Sequence, residues 1–159
     1  RVKESHLHYP LYGAPEDTLE QAFAHLAPMR RSLPAGTFVF ILSDFLEQPT
    51  RDEWLHVLER RWDIVPVVIQ DPTWEQSFPD VSGMVVPMRD PKSGRLADVR
   101  VTKREAARRR TANEERLASR MDELEGLGLD PVLLSSSDST DILAAFLDWA
   151  DLRNLRRVA

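Results

Sequence analysis

Phe38-Val39-Phe40-Ile41-Leu42-Ser43-Asp44 is an unbroken apolar run closed by a serine and an aspartate. A strand with one wet face alternates apolar and polar residues, whereas a continuous run marks a strand covered on both faces. Asp63 to Gln70 repeats the pattern with Ile64, Val65, Val67, Val68 and Ile69, and Pro131 to Leu134 is a shorter instance. Pro66 donates no N–H, so a bulge or an unpaired flank is expected there. Helical patterns alternate with these strands. One opens at Pro15-Glu16-Asp17, carries Leu19, Phe23 and Leu26, and is kinked or ended at Pro28. Thr50-Arg51-Asp52-Glu53 is a capping box ahead of Trp54, Leu55 and Leu58, in a helix ending near Arg61. A long helix is expected from Lys103 to Leu124, stopped by Gly126 and Gly128. A last one is capped by Asp138 or Ser139 and carries Ile142, Leu143, Phe146, Leu147 and Trp149. Gly83–Met88 and Leu96–Val101, joined by Asp90-Pro91-Lys92-Ser93-Gly94, read as a β-hairpin inserted at about 83–101. The fold class is α/β: a Rossmann-like, mostly parallel sheet with helices on both faces.

Composition narrows the function classes. The chain has 159 residues, a net charge of −5 and 42 % hydrophobic residues, which suits one globular domain with a substantial core. The absence of cysteine excludes disulfides, thiolate metal sites, iron–sulfur clusters and a cysteine nucleophile. No apolar run has the length of a membrane span, so a cytoplasmic location is expected, with tethering through upstream sequence left open. The acidic balance counts against general nucleic-acid binding. The chain divides into an extended segment (1–14), a body (15–155) and a short tail (156–159). Because it starts at Arg1 rather than methionine, it is expected to be a piece of something longer.

In open parallel sheets ligands bind outside the carboxyl ends of the strands. The residues there are Ser43 and Asp44, then Asp71, then Ser135 to Asp138. Asp44 suits a hard cation such as Mg²⁺, although an aspartate in this position more commonly closes a turn by accepting backbone N–H groups. Nucleophile motifs, G-x-G-x-x-G and a P-loop are all missing. His6 and His8 share strand spacing without further ligands, and His25 and His56 fall on separate helices. Trp54 and Trp149 read as core, while Trp74 falls in a loop, where packing is favoured over a role as a contact residue. The long helix is electrically reversed. Residues 103–120 carry +4, and Asp122, Glu123 and Glu125 follow at the C-terminal end, against the helix dipole. Its arginines, Arg108, Arg109 and Arg110 above all, form either a solvated face or a docking patch for an acidic partner.

The run Phe38 to Leu46, ending in Ser43-Asp44-Phe45-Leu46, resembles the signature of the family called domain of unknown function 58. The likeness continues through Asp71-Pro72 with Glu75, Pro79 and Gly83, the Asp90-Pro91-x-x-Gly94 turn, the Arg-rich helix and the closing Asp-Ile-Leu-x-x-Phe-Leu helix, over roughly residues 16–155. It implies a von Willebrand factor A-like domain, of which this chain would hold the portion with strands four to six. It further implies a metal-ion-dependent adhesion site, with oxygens from three loops on a divalent cation. Asp44 matches the aspartate of that site, with Ser43 beside it, and Thr18 matches the threonine, although the chain reads Asp-Thr-Leu where the family reads Thr-Asp-Leu. The D-x-S-x-S element is missing; Asp80-Val81-Ser82 imitates it but precedes its strand.

In the strand order of such domains, the Phe38–Leu42 strand lies beside the absent first strand. An oligomer or an upstream segment is expected to cover it, because a long bare apolar edge aggregates. The function these features imply is a non-enzymatic interaction module beside a MoxR-type AAA+ ATPase, with Mg²⁺ or another divalent cation held weakly. The alternative is a Mg²⁺-dependent hydrolase or phosphoryl-transfer enzyme around Asp44 and Asp71, for which no general base or phosphate loop is visible.

Overall fold

The structure is a computed structural model that describes residues 18–47, 49–59, 61–89 and 95–158. The segment 1–14 with His6 and His8, the helix-opening Pro15-Glu16-Asp17 and the turn Asp90–Gly94 lie outside the described residues. Helix α1 (Thr18–Leu26) passes at Pro28 into a short 3₁₀ turn (Ala27–Arg31), the outcome expected where proline blocks continuation. Strand β1 (Phe38–Ser43), helix α2 (Arg51–Leu58) and strand β2 (Asp63–Ile69) follow. Then come β3 (Val85–Arg89), β4 (Leu96–Arg100), α3 (Lys103–Gly126), β5 (Val132–Leu134) and α4 (Ser139–Val158). The expected tail at 156–159 is instead helical as far as Val158.

β1, β2 and β5 form a parallel sheet in that order, and β3 pairs antiparallel with β4 as the expected hairpin. The fold is therefore mixed α/β, with the Rossmann-like logic of strands joined by helical crossovers. β2 pairs with β1 in unbroken register from Phe38↔Asp63 to Ser43↔Val68, so Pro66 produces no bulge. β5 reaches only Val67 to Ile69, which leaves Pro66 outside that ladder. The missing N–H is accommodated by a short neighbour.

Alternation along the strands divides the core in two. Ile41, Ile64 and Val68 meet Phe23 of α1, Trp54 and Val57 of α2, and Leu124 of α3 on one face. Val65, Val67, Val132 and Leu134 meet Ile142, Ala145, Phe146 and Trp149 of α4 on the other. The two crossover helices thus share a face and α4 covers the opposite one, the layering the continuous apolar strands demanded. A third cluster, Phe78, Val101 and Ala106, seats the hairpin against the start of α3.

Helix ends are set locally. Thr50 accepts the backbone N–H of Glu53 while Glu53 Oε2 accepts that of Thr50 at 2.6 Å, completing the capping box. α3 closes in a Schellman motif: Gly128 N donates to Glu125 O at 2.8 Å and Leu129 N to Leu124 O at 3.2 Å. Gly128 has a φ of 78°, a conformation other residues adopt only at a cost.

Candidate functional site at the strand ends

The carboxyl ends of β1, β2 and β5 converge on one residue. Gln70 directly follows β2 and is 4 % exposed. Its Nε2 donates to the Asp44 carbonyl at 2.6 Å, and its backbone N–H donates to Leu134 O at 3.1 Å. Its own carbonyl accepts Gln76 Nε2 at 3.2 Å, and that same nitrogen donates to Ser135 Oγ at 2.7 Å. A polar residue closing an apolar strand is the only trace of this role in the sequence, and sequence reasoning passed over it. Its Oε1 is buried with no hydrogen-bond partner among the described residues.

The strand-end acids all hold backbone. Ser43 Oγ accepts Phe45 N–H and Asp44 Oδ1 accepts Leu46 N–H, each at 3.1 Å. These contacts stabilise a turn in which Phe45, with φ 50°, drives its ring under the loop to stack on Trp54 at 6.4 Å. Asp71 Oδ1 accepts Thr73 N–H at 2.8 Å and Trp74 N–H at 2.9 Å. Asp138 Oδ1 accepts Thr140 N–H at 2.8 Å, and backbone hydrogen bonding there holds its carboxyl below the usual range. Geometry gives these aspartates the turn role, which any further ligand would have to share.

The arginine-rich helix is oriented by the loop after β2. Arg110 Nε donates to Phe78 O at 3.1 Å, Arg116 to Glu75 O at 3.0 Å, and Asn113 Nδ2 to Trp74 O at 3.0 Å. Arg109 lies over the Phe78 ring, 5.6 Å from its centroid, and pairs with Glu105 at 3.0 Å. Arg108 also pairs with Glu105 but leaves 76 % of its side chain exposed. The arginine trio therefore splits: Arg109 and Arg110 grip the loop and Arg108 projects. Trp74 is half-exposed and meets Phe78 edge-on, in a loop, where the sequence placed it.

Thr18 is the exposed first residue of α1. His25 and His56 are exposed on α1 and α2. Among the described residues no group of three or more His, Cys, Asp or Glu side chains is placed to hold a metal ion. Asp44 and Ser43 supply one arm for a hard cation, each already accepting an N–H, and the described residues do not fit a complete site. No described helix is long and apolar enough to cross a membrane.

Parallel strands joined by helices, with polar groups gathered at their carboxyl ends, define an α/β domain of Rossmann-like layering. The chain belongs to the family described as protein of unknown function DUF58, whose model matches residues 7–121. That span ends inside α3, so β5 and α4 lie beyond it. Comparison with curated proteins and with solved structures gave no match.

Proposed function

We propose that this domain is a protein-interaction module of the von Willebrand factor A type, without enzymatic activity of its own, serving a MoxR-type AAA+ ATPase in assembly or chaperone-like work. The observation that carries this reading is the side of β1 left unpaired among the described residues. β1 is an edge of its sheet, with Phe38 51 %, Phe40 45 % and Leu42 63 % exposed, and it runs straight into Ser43 and Asp44. An edge of this kind offers unpaired backbone groups and apolar side chains to an added strand. Asp44 stands where that strand would end, so a cation there would draw its remaining oxygens from the covering segment or the partner. A cytoplasmic location belongs to the same reading.

Sedimentation of the chain with a MoxR-type ATPase from the same organism, with ATP and Mg²⁺ present, tests it. A complex that Leu42→Lys weakens about tenfold or more is the expected result, since one buried apolar anchor commonly contributes more than 1.4 kcal/mol. Absence of a complex in every nucleotide state overturns the assignment. Calorimetric titration with Mg²⁺ should show weak binding, and tight binding that survives Asp44→Ala removes Asp44 from the cation's ligands.

A further inference from the structure

The β3–β4 hairpin is inserted after the carboxyl end of β2, and β4 returns through Thr102 directly into α3. β5, which α3 feeds, runs parallel to β2, so α3 begins on the side of the sheet where β2 ends. The hairpin and the first turns of α3 therefore stand on the side at which open parallel sheets bind their ligands. Alternation gives the hairpin two faces. Val86 packs toward Phe78, Val101 and Ala106. The opposite face carries Val85 beside its cross-strand partner Arg100, with Asp98 and Leu96 further along β4. Val85 is 57 % and Leu96 69 % exposed, so no described layer covers them. They lie four positions apart along the ladder, about 13 Å at 3.3 Å per residue. Lone apolar residues on a surface need no partner, but these two share a face with an arginine in a strong field.

Charge selects the kind of occupant. Residues 84–110 hold nine basic and three acidic side chains, a balance of +6 in a chain whose total is −5. Part of that charge is engaged within the fold. Arg109 pairs with Glu105, Arg110 donates to the Phe78 carbonyl, and Lys103 stands in the field of Asp80. Arg100 and Arg104 are exposed, and Arg108 keeps 76 % of its side chain exposed beside Glu105. The positive pole of the α3 dipole adds to their field. No aromatic residue occurs in 84–110, so a platform for stacking bases is missing and a protein partner fits better than a single-stranded nucleic acid. We propose that the outer face of the hairpin, with the basic start of α3, docks an acidic segment of a partner protein. Its apolar side chains rest on Val85 and Leu96, and its carboxylates answer Arg100, Arg104 and Arg108. The surface is separate from the β1 edge and does not rest on the function proposed above.

Fluorescence anisotropy with a labelled peptide, acetyl-Leu-Glu-Ser-Glu-Leu-Glu amide, tests this on the full chain. Saturable binding with a Kd below about 1 mM in about 50 mM salt is expected, weakening as salt rises. Arg100→Glu with Arg104→Glu should weaken it about tenfold, and Leu96→Ser about threefold. These positions are exposed, and acidic residues suit the first turn of a helix, so circular dichroism should be unchanged. Should the charge reversal fail to fold, Arg100→Gln with Arg104→Gln gives the same reading with a smaller loss. No binding up to about 5 mM overturns the proposal, as does binding that the double variant or Leu96→Ser leaves unaltered. Tighter binding of an oligothymidine strand or of phosphatidylserine vesicles than of the peptide, at the same salt, overturns the assignment to a protein partner.

Discussion

Arg61 holds φ at 59° between α2 and β2, with its carbonyl accepting Gly36 N–H at 2.9 Å. A side chain in the left-handed region costs about 1–2 kcal/mol, part of which glycine would return as unfolded-state entropy. Arg61→Gly should therefore raise stability by about 0.5 kcal/mol in denaturant unfolding, provided the exposed side chain makes no compensating contact. A loss of stability would show that it does. Phe45 also has positive φ, but its buried ring holds the Asp44 turn against Trp54, so glycine there would open the core. At this scale the sequence speaks only through residues with narrow uses. Thr50 with Glu53, and Gly128 after α3, announce their caps because few other residues can make them. Arg61 and Gln70 announce nothing. Arginine and glutamine favour helices, which neither position adopts, and their places follow from neighbours distant in the chain.

Helix α3 shows why charge is legible before its destination is. The sequence displays a +4 segment, and the choice between a solvated face and a docking patch depends on what lies opposite. The structure puts carbonyls there: those of Trp74, Glu75 and Phe78 receive Asn113, Arg116 and Arg110. Unpaired loop carbonyls carry no mark in a sequence, so no count of charges finds this contact. The start of the helix yields a pH prediction. The Arg108 guanidinium, with Arg109 beside it, holds the Glu105 carboxyl below the usual range despite partial desolvation. A carboxyl depressed in the folded state stabilises above its unfolded value, and that contribution vanishes as pH falls through the lower folded value. Stability should thus decline as pH drops from the ordinary glutamate range downward, and Glu105→Gln should flatten part of that decline. Thermal melts of both proteins across the acid range check this; parallel acid limbs would show that the Glu105 pairs contribute nothing.

For the whole molecule, the apolar patterns define the layers and leave the final helix ambiguous. The last helix carries Ile142, Leu143, Phe146, Leu147 and Trp149, and the structure turns Ile142, Phe146 and Trp149 inward and leaves Leu143 59 % and Leu147 57 % exposed. A helix apolar on more than one side does not declare which side the sheet takes. Ions settle it at the base of the sheet. Arg153 of α4 pairs with Asp63, the first residue of β2, while Arg156 pairs with Asp130 just ahead of β5. The Arg153 guanidinium also lies 5.1 Å from the centroid of Trp149 and 5.6 Å from that of Phe38, and Trp149 Nε1 donates to Asp130 O at 2.8 Å. These contacts bind α4 to all three strands, including the edge strand β1 whose Phe38 and Phe40 meet Trp149 edge-on. With both partners of the Arg153–Asp63 pair less than one-fifth exposed, removing the guanidinium takes a close counter-charge from a half-dry carboxylate. Arg153→Met should therefore cost about 2 kcal/mol and lower the melting temperature by about 4–8 °C. Adding Asp63→Asn should return part of that loss, because the carboxylate that has lost its guanidinium is then neutral. Strictly additive losses in the double variant would mean that the two charges do not act on one another.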